Sequence, residues 1–158
     1  MSKMYTLKTI QRIPVTVQEA WDFFSKPDNL KVLTPPHLGF TVLSNQYKEE
    51  MYAGQIIEYN VKPLWGISLY WMTEITHVQE KVYFIDEQRF GPYAFWHHQH
   101  HFKFIDGGVE MIDIVHYKLP LWFLGDVANS LFVRHQLQQI FDYRFKKNRS
   151  FVWKMEIT

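Results

Sequence analysis

The hydrophobic period of the chain changes at Pro120, and that change limits what it can fold into. Between residues 40 and 119, apolar side chains recur at every second position, the repeat of a half-buried strand. After Pro120 they recur at helical spacing, through Val133, Leu137, Ile140, Phe141, Phe145 and Val152. The strand region divides into segments 40–44, 56–62, 67–77, 82–90, 94–105 and 109–119. Between them stand Gly54, Pro63, Gly66, Gly91-Pro92 and Asp106-Gly107-Gly108, all residues that favour turns. Connections this short join antiparallel neighbours.

The ends complete the pattern. Tyr5, Leu7 and Thr9 alternate with Thr6, Lys8 and Ile10, which predicts a first strand over 5–13. Thr16 and Glu19 form a capping box ahead of the stripe Val17, Ala20, Trp21 and Phe24, which predicts a short helix. Pro27 and Asp28 open a second short helix through Leu33, stopped by Pro35-Pro36. Asp126 is the expected N-cap of the C-terminal helix, which at about 1.5 Å per residue exceeds roughly 35 Å. The expected fold is α+β. A curved seven-stranded antiparallel sheet wraps around a long C-terminal helix, with two short helices between strands 1 and 2. No repeat or Ser/Gly-rich linker divides the sequence, so residues 1–158 are expected to form a single domain.

Composition narrows the function. Apolar residues make up 47% of the 158, enough for a substantial core and incompatible with a disordered chain. The absence of cysteine removes disulfides, thiol catalysis and Cys-type zinc sites together. Seventeen Lys and Arg face sixteen Asp and Glu without a basic block, so no nucleic-acid partner is expected and a lipid-transfer role at membranes is disfavoured. The N-terminus has no apolar h-region, and the densest apolar stretch, 119–124, is too short to span a bilayer. A cytoplasmic protein without stable membrane insertion is the expectation. There is no Gly-x-Ser-x-Gly elbow, Ser68 and Ser130 have no pattern to single them out, and no glycine-rich phosphate loop appears. The unusual quantity is the aromatic content, 18%. Those rings either fill a core or line a cavity.

The segment Trp96-His97-His98-Gln99-His100-His101-Phe102 bears on that choice. On a strand, the even set Trp96, His98, His100, Phe102 and Phe104 shares one face. It is the aromatic set and is placed inside, which leaves His97 and His101, with His116, as solvated outer residues. A two-residue turn at Asp106-Gly107 sets His100 opposite Asp113, Phe102 opposite Met111, His98 opposite Val115 and Trp96 opposite Tyr117. A turn at Gly107-Gly108 shifts the register by two and keeps the same residues on the same face. Two imidazoles and a carboxylate on an aromatic surface are either a satisfied polar cluster or groups that orient a ligand. His98, His100 and Asp113 are also the candidate catalytic acid and base groups. His-x-His on a strand can serve one metal ion, but it needs a third ligand from Asp113 or another strand. A closed site needs exact geometry and supporting contacts, so no metal and no cofactor are assigned.

Parity leaves other positions open. Trp71, Thr73 and Ile75 alternate with Tyr70, Met72 and Glu74, and Phe84, Asp86 and Gln88 with Tyr83, Ile85 and Glu87, and both sets of each pair are partly apolar. Trp65, Trp122 and Phe123 stand in loops, where they either pack or gate a cavity mouth. Trp21, Phe24, Phe141 and Phe145 are assigned to helix-to-sheet packing.

The order of elements resembles the helix-grip fold of the START and Bet v 1-like superfamily, also called SRPBCC. Several stretches are similar to a ligand-binding SRPBCC subgroup that includes domains joined to sugar-epimerase-like proteins. They are Asn29-Leu30 with Leu33-Thr34-Pro35-Pro36, Gly54-Gln55-Ile56-Ile57-Glu58-Tyr59, and Trp71 with Thr73-Glu74-Ile75. Others are Phe84-Ile85-Asp86-Glu87-Gln88, Gly91-Pro92-Tyr93, Trp96-x-His98-x-His100-x-Phe102, Asp113-x-Val115-x-Tyr117-x-Leu119-Pro120 and Ile140-Phe141-x-Tyr143-Arg144. His101 departs from it, standing where such domains often carry a basic residue. The resemblance implies a cavity between sheet and long helix for a hydrophobic or amphipathic small molecule, with Phe84, Asp86 and Gln88 facing it. The expected ligand-binding set is Trp71, Phe84, Asp86, Gln88, Trp96, His98, His100, Phe102, Asp113 and Tyr117. Carriage of a ligand is the favoured function. A polyketide cyclase or dehydratase-like enzyme is the alternative. The oligomeric state is left open.

Overall fold

The computed structural model describes residues 3–43, 50–64, 67–120 and 126–155. Strands β1 (Tyr5–Ile13), β2 (Thr41–Val42), β3 (Gln55–Leu64), β4 (Ile67–Gln79), β5 (Tyr83–Phe90), β6 (Phe95–Ile105) and β7 (Gly108–Lys118) form one antiparallel sheet. Its order is β1-β7-β6-β5-β4-β3-β2, so β1 returns to pair with β7 while the other strands pair as consecutive hairpins. Helix α1 (Val17–Phe24) follows β1, and helix α2 (Asp126–Met155) follows the sheet. This is the helix-grip architecture that the sequence implies.

Local chemistry sets each boundary. Thr16 caps α1 through the expected box, its hydroxyl accepting from the Glu19 amide while the Glu19 carboxylate accepts from the Thr16 amide. The second short helix is a 3-10 segment, Pro27–Lys31. Pro35-Pro36 does more than stop it. Pro36, its φ fixed by the ring, starts a further 3-10 turn over Pro36–Leu38. Asp126 is the first helical residue of α2, one position further in than expected. Trp65, Trp122 and Phe123 lie outside the described residues.

The β6–β7 hairpin turns at Asp106-Gly107, with Gly107 at φ +77°, and pairs Ile105 with Gly108. The bulges in β4 and β5 bend the middle of the sheet. Thr76 and Arg89 are each an extra residue against the facing strand.

Two apolar clusters line the inner face. One joins Ala20 and Trp21 of α1 to Ile13, Met51, Ile57, Ile75, Phe84, Phe102, Val109 and Met111. Trp21 meets Phe84 and Phe102 edge-on, at 6.1 and 5.4 Å between centroids. The other seats Leu137 and Phe141 of α2 on Leu7, Val115 and Tyr117. Phe104, expected inside, is 77% exposed, because the β6–β7 hairpin end carries its ring past the cover of the core. Phe145 is 42% exposed. No helix among the described residues is long and apolar enough to cross a membrane.

Candidate functional site

Register places the polar residues between these clusters. Asp86 on β5 lies opposite His98 on β6, and Asp113 on β7 lies opposite His100. Each imidazole therefore faces one carboxylate directly and the other diagonally, within side-chain reach. The four groups close into a ring. His98 Nε2 donates to Asp113 Oδ1 at 2.9 Å and His100 Nε2 to Asp86 Oδ2 at 2.7 Å. His100 Nδ1 lies 3.0 Å from Asp113 Oδ1, and His98 Nδ1 lies 3.4 Å from Asp86 Oδ2. Trp96 Nε1 donates to the other Asp86 oxygen at 3.3 Å.

Proton accounting follows from the donors. An ionised carboxylate only accepts, so each of the two hydrogen bonds needs a proton on nitrogen, at His98 Nε2 and at His100 Nε2. The 3.4 Å contact needs none. The electrostatics agree. Burial opposes charge on Asp113, but hydrogen bonds from His100 and His98 outweigh it and hold the carboxyl well below the usual range. Burial likewise opposes ionisation of Asp86, and its two histidine neighbours, His98 and His100, together outweigh it, again lowering it. Burial and the neighbouring His100 charge push His98 down. His100 is raised, because its bonds to Asp113 and Asp86 overcome burial. Both imidazoles are buried, and the Asp86 and Asp113 side chains are 15% and 17% exposed.

The ring borders two cavities between the sheet and α2. One, about 150 Å³, is lined by Tyr59, Trp71, Trp96, Phe141 and other apolar groups, with Asp86, His98 and His100 as its polar floor. The second, about 200 Å³, meets Asp113 and His100 from the β1 side. Leu30, Phe84, His100, Phe141 and Arg144 line both and divide them. Phe84 stacks on His100 at 4.1 Å, and Phe141 of α2 closes over His98 at 5.8 Å.

Of the expected set, Trp71, Phe84, Asp86, Trp96, His98 and His100 line the smaller cavity, and Asp113 lines the larger. Phe102 and Tyr117 sit behind these surfaces, in the two apolar clusters. Gln88 clamps the turn after β5, its amide bonding the Tyr93 carbonyl and amide at 2.7 and 3.2 Å. On the outer face, His97 bonds Glu87 at 2.8 Å and His116 bonds Thr6 at 3.0 Å. His97, and His101 on Gln99, belong to a part-buried polar lattice, while the His116–Thr6 bond is exposed.

Tyr59, Tyr93 and Arg144 were not in the expected set. Arg144 had a signal: it falls one turn beyond Ile140 and Phe141, so the apolar stripe of α2 runs into a cation. Its Nε donates to the Leu33 carbonyl at 3.4 Å and its guanidinium lies 5.3 Å over Phe141. The buried Trp71 Nε1 has no hydrogen-bond partner among the described residues.

Known structures share this architecture. The ZhuI aromatase/cyclase from Streptomyces sp. R1128 superposes with a TM-score of 0.75 at 9% identity, over 96% of this chain and 95% of that one. Ara h 8.0201 gives 0.66 at 16% identity, over 96% and 99%. Protein Ms6760 from Mycobacterium smegmatis gives 0.68 at 17% identity, over 98% of each chain. The chain thus has the SRPBCC, or Bet v 1-like, fold. At these identities the likeness is one of fold. No protein-family model and no curated protein matches the sequence.

Proposed function

We propose that the protein binds and carries a hydrophobic or amphipathic, ring-containing small molecule in the space between the sheet and α2. The observation that carries this reading is the cavity over the His–Asp ring, walled by Tyr59, Trp71, Trp96 and Phe141 and floored by Asp86, His98 and His100. Few polar groups in an apolar wall set orientation and specificity in such sites. A cavity of about 150 Å³ takes a molecule of roughly one aromatic ring, and the neighbouring space takes more if Phe141 or Arg144 turns aside. The narrower likeness to domains joined to epimerase-like proteins rests on the sequence motifs.

The test is native mass spectrometry of protein purified from its own host, with extraction of the bound molecule. One ligand per chain is expected. It should disappear in Ile140→Trp, which fills the cavity from α2. No ligand in the wild type, or equal occupancy in a folded Ile140→Trp, overturns carriage.

One observation favours a second reading, an enzyme of the cyclase or dehydratase type. The polar floor holds two adjoining imidazoles pushed in opposite directions, His98 down and His100 up, which suits base and acid roles. A bound molecule recovered as an interconverting substrate–product pair, with conversion lost in His98→Ala, would establish it.

A further inference from the structure

We infer that Asp86, His98 and His100 form a binding site for a single divalent first-row transition-metal ion, with Asp113 and Trp96 as its outer shell. This reverses the expectation of no metal, which rested on the exact geometry and supporting contacts that a closed site needs. The argument is geometric. Asp113 Oδ1 takes one nitrogen of each imidazole, His98 Nε2 and His100 Nδ1. The nitrogens left over, His98 Nδ1 and His100 Nε2, both turn to the same atom, Asp86 Oδ2, at 3.4 and 2.7 Å.

One ligand atom from each of the three residues thus lies within 4.8 Å of the others. Two donors at roughly 2.1 Å from an ion and 90–110° apart are separated by about 3.0–3.5 Å, and the two Asp86 contacts, at 3.4 and 2.7 Å, come within a few tenths of an ångström of that range.

The outer contacts are those a metal centre needs. A ligating histidine almost always hands its second N–H to a carboxylate or carbonyl, which fixes the tautomer and the ring plane. Here one carboxylate does this for both rings. Asp86, the carboxylate ligand, receives the Trp96 indole N–H on its other oxygen at 3.3 Å. His98 Nδ1, at 3.4 Å from Asp86 Oδ2, is too far for a hydrogen-bonded proton to be required between them and presents a lone pair. An ion replaces the proton between His100 Nε2 and Asp86, so one proton leaves per ion bound. Two imidazoles and a carboxylate form a borderline donor set, suited to Zn²⁺, Co²⁺ or Fe²⁺ rather than Mg²⁺ or Ca²⁺. All three residues line the aromatic cavity, so further coordination positions open onto the space where a ligand's oxygen atom would lie.

The test uses the full chain without an affinity tag, stripped with EDTA and titrated with ZnSO₄ by calorimetry, with elemental analysis of the loaded protein. The expected result is one Zn²⁺ per chain. Asp86→Asn or His98→Gln should lower the affinity at least about a hundredfold, and Asp113→Asn roughly 10–100-fold as an outer-shell change. His97→Gln and His116→Gln, on the opposite face, should leave it unchanged. Loss of binding in the opposite-face variants, or no stoichiometric binding in the wild type, overturns the assignment. X-ray absorption of the Zn²⁺-loaded wild type gives a readout independent of whether the variants fold. Two imidazoles with oxygen ligands are expected, and a shell with one imidazole or none refutes the site.

Discussion

Removing the Asp113 carboxylate from the metal-free protein tests whether the His–Asp ring is an ion-paired unit. One oxygen of Asp113 holds His98 at 2.9 Å and His100 at 3.0 Å, and the side chain is 17% exposed, so little water is at hand to replace it. Asp113→Ala leaves the His98 N–H without its acceptor and His100 with Asp86 alone. Breaking a buried pair by removing one partner costs about 3–5 kcal/mol. At about 2–4 °C per kcal/mol for a chain of this size, the midpoint falls by roughly 6–20 °C. Asp113→Asn should cost less. Both imidazoles address the same oxygen, and an amide oxygen can still accept from both. What goes is the charge, and a hydrogen bond to a charged group contributes about 1.5–3 kcal/mol. Urea and thermal unfolding at neutral pH, followed by circular dichroism, measure both variants. An alanine variant within about 1 kcal/mol of the wild type would refute the ion-paired description, since that is the range of an exposed pair. Asparagine as costly as alanine would refute the shared-oxygen geometry.

Two further outcomes follow from the same coordinates. In Gly108→Ala the new Cβ would stand 2.2 Å from the Ile13 carbonyl oxygen, so the β1 end or the hairpin must shift, at a cost of about 1–3 kcal/mol; unchanged stability and amide chemical shifts at residues 12–14 would contradict this. The pH profile of the metal-free protein has a defined sign. Asp86 and Asp113, held low, contribute stability that is full above about pH 4 and lost as the pH falls, while His98, also held low, contributes above about pH 6.5. His100, held high, contributes below about pH 6.5 and loses that contribution as the pH rises through its folded value. The stability gap between wild type and His100→Gln should therefore narrow as the pH rises above about 6.5, and a gap that widens would show that His100 is not the raised group.

Which parts of this were legible in the sequence has a physical explanation. Asp106-Gly107 fixes the β6–β7 register through local turn chemistry, so the pairing of His100 with Asp113 follows from a few residues. Asp86 was not legible in the same way. Its face depends on the turn after β5 and on bulges that periodicity cannot carry. Beyond Thr76 the inward position passes from Ile75 to Val78, which pairs with Phe84 and packs on the core, so strict alternation from Trp71 gives the wrong residue. Family likeness, not parity, pointed to Asp86. Phe104 shows the opposite failure, for its parity is right and the sheet has simply run out of cover. Arg144 could have been found by asking what interrupts the apolar stripe of α2.

The placement of four ionisable groups at the centre of the sheet itself argues for use. Desolvating charged groups is costly, and a buried ion-paired cluster is often matched or exceeded in stability by apolar residues of similar volume. The surrounding residues favour that substitution, since Phe84, Trp96 and Phe141 already pack around the ring. If the ring serves only to hold the sheet in one register, replacing it should yield a looser protein. If it serves a ligand or an ion, replacement should leave a well-packed fold that has lost binding. Asp86→Val, His98→Leu, His100→Leu and Asp113→Val made together distinguish the two. The β6–β7 turn and both apolar clusters lie outside the ring and still fix the register, so the expected variant unfolds cooperatively at or above the wild-type midpoint and binds neither Zn²⁺ nor the extracted ligand. A variant with dispersed binding intact would remove the ring from the site, and one with broadened amide resonances and a shallow transition would make it a structural specifier.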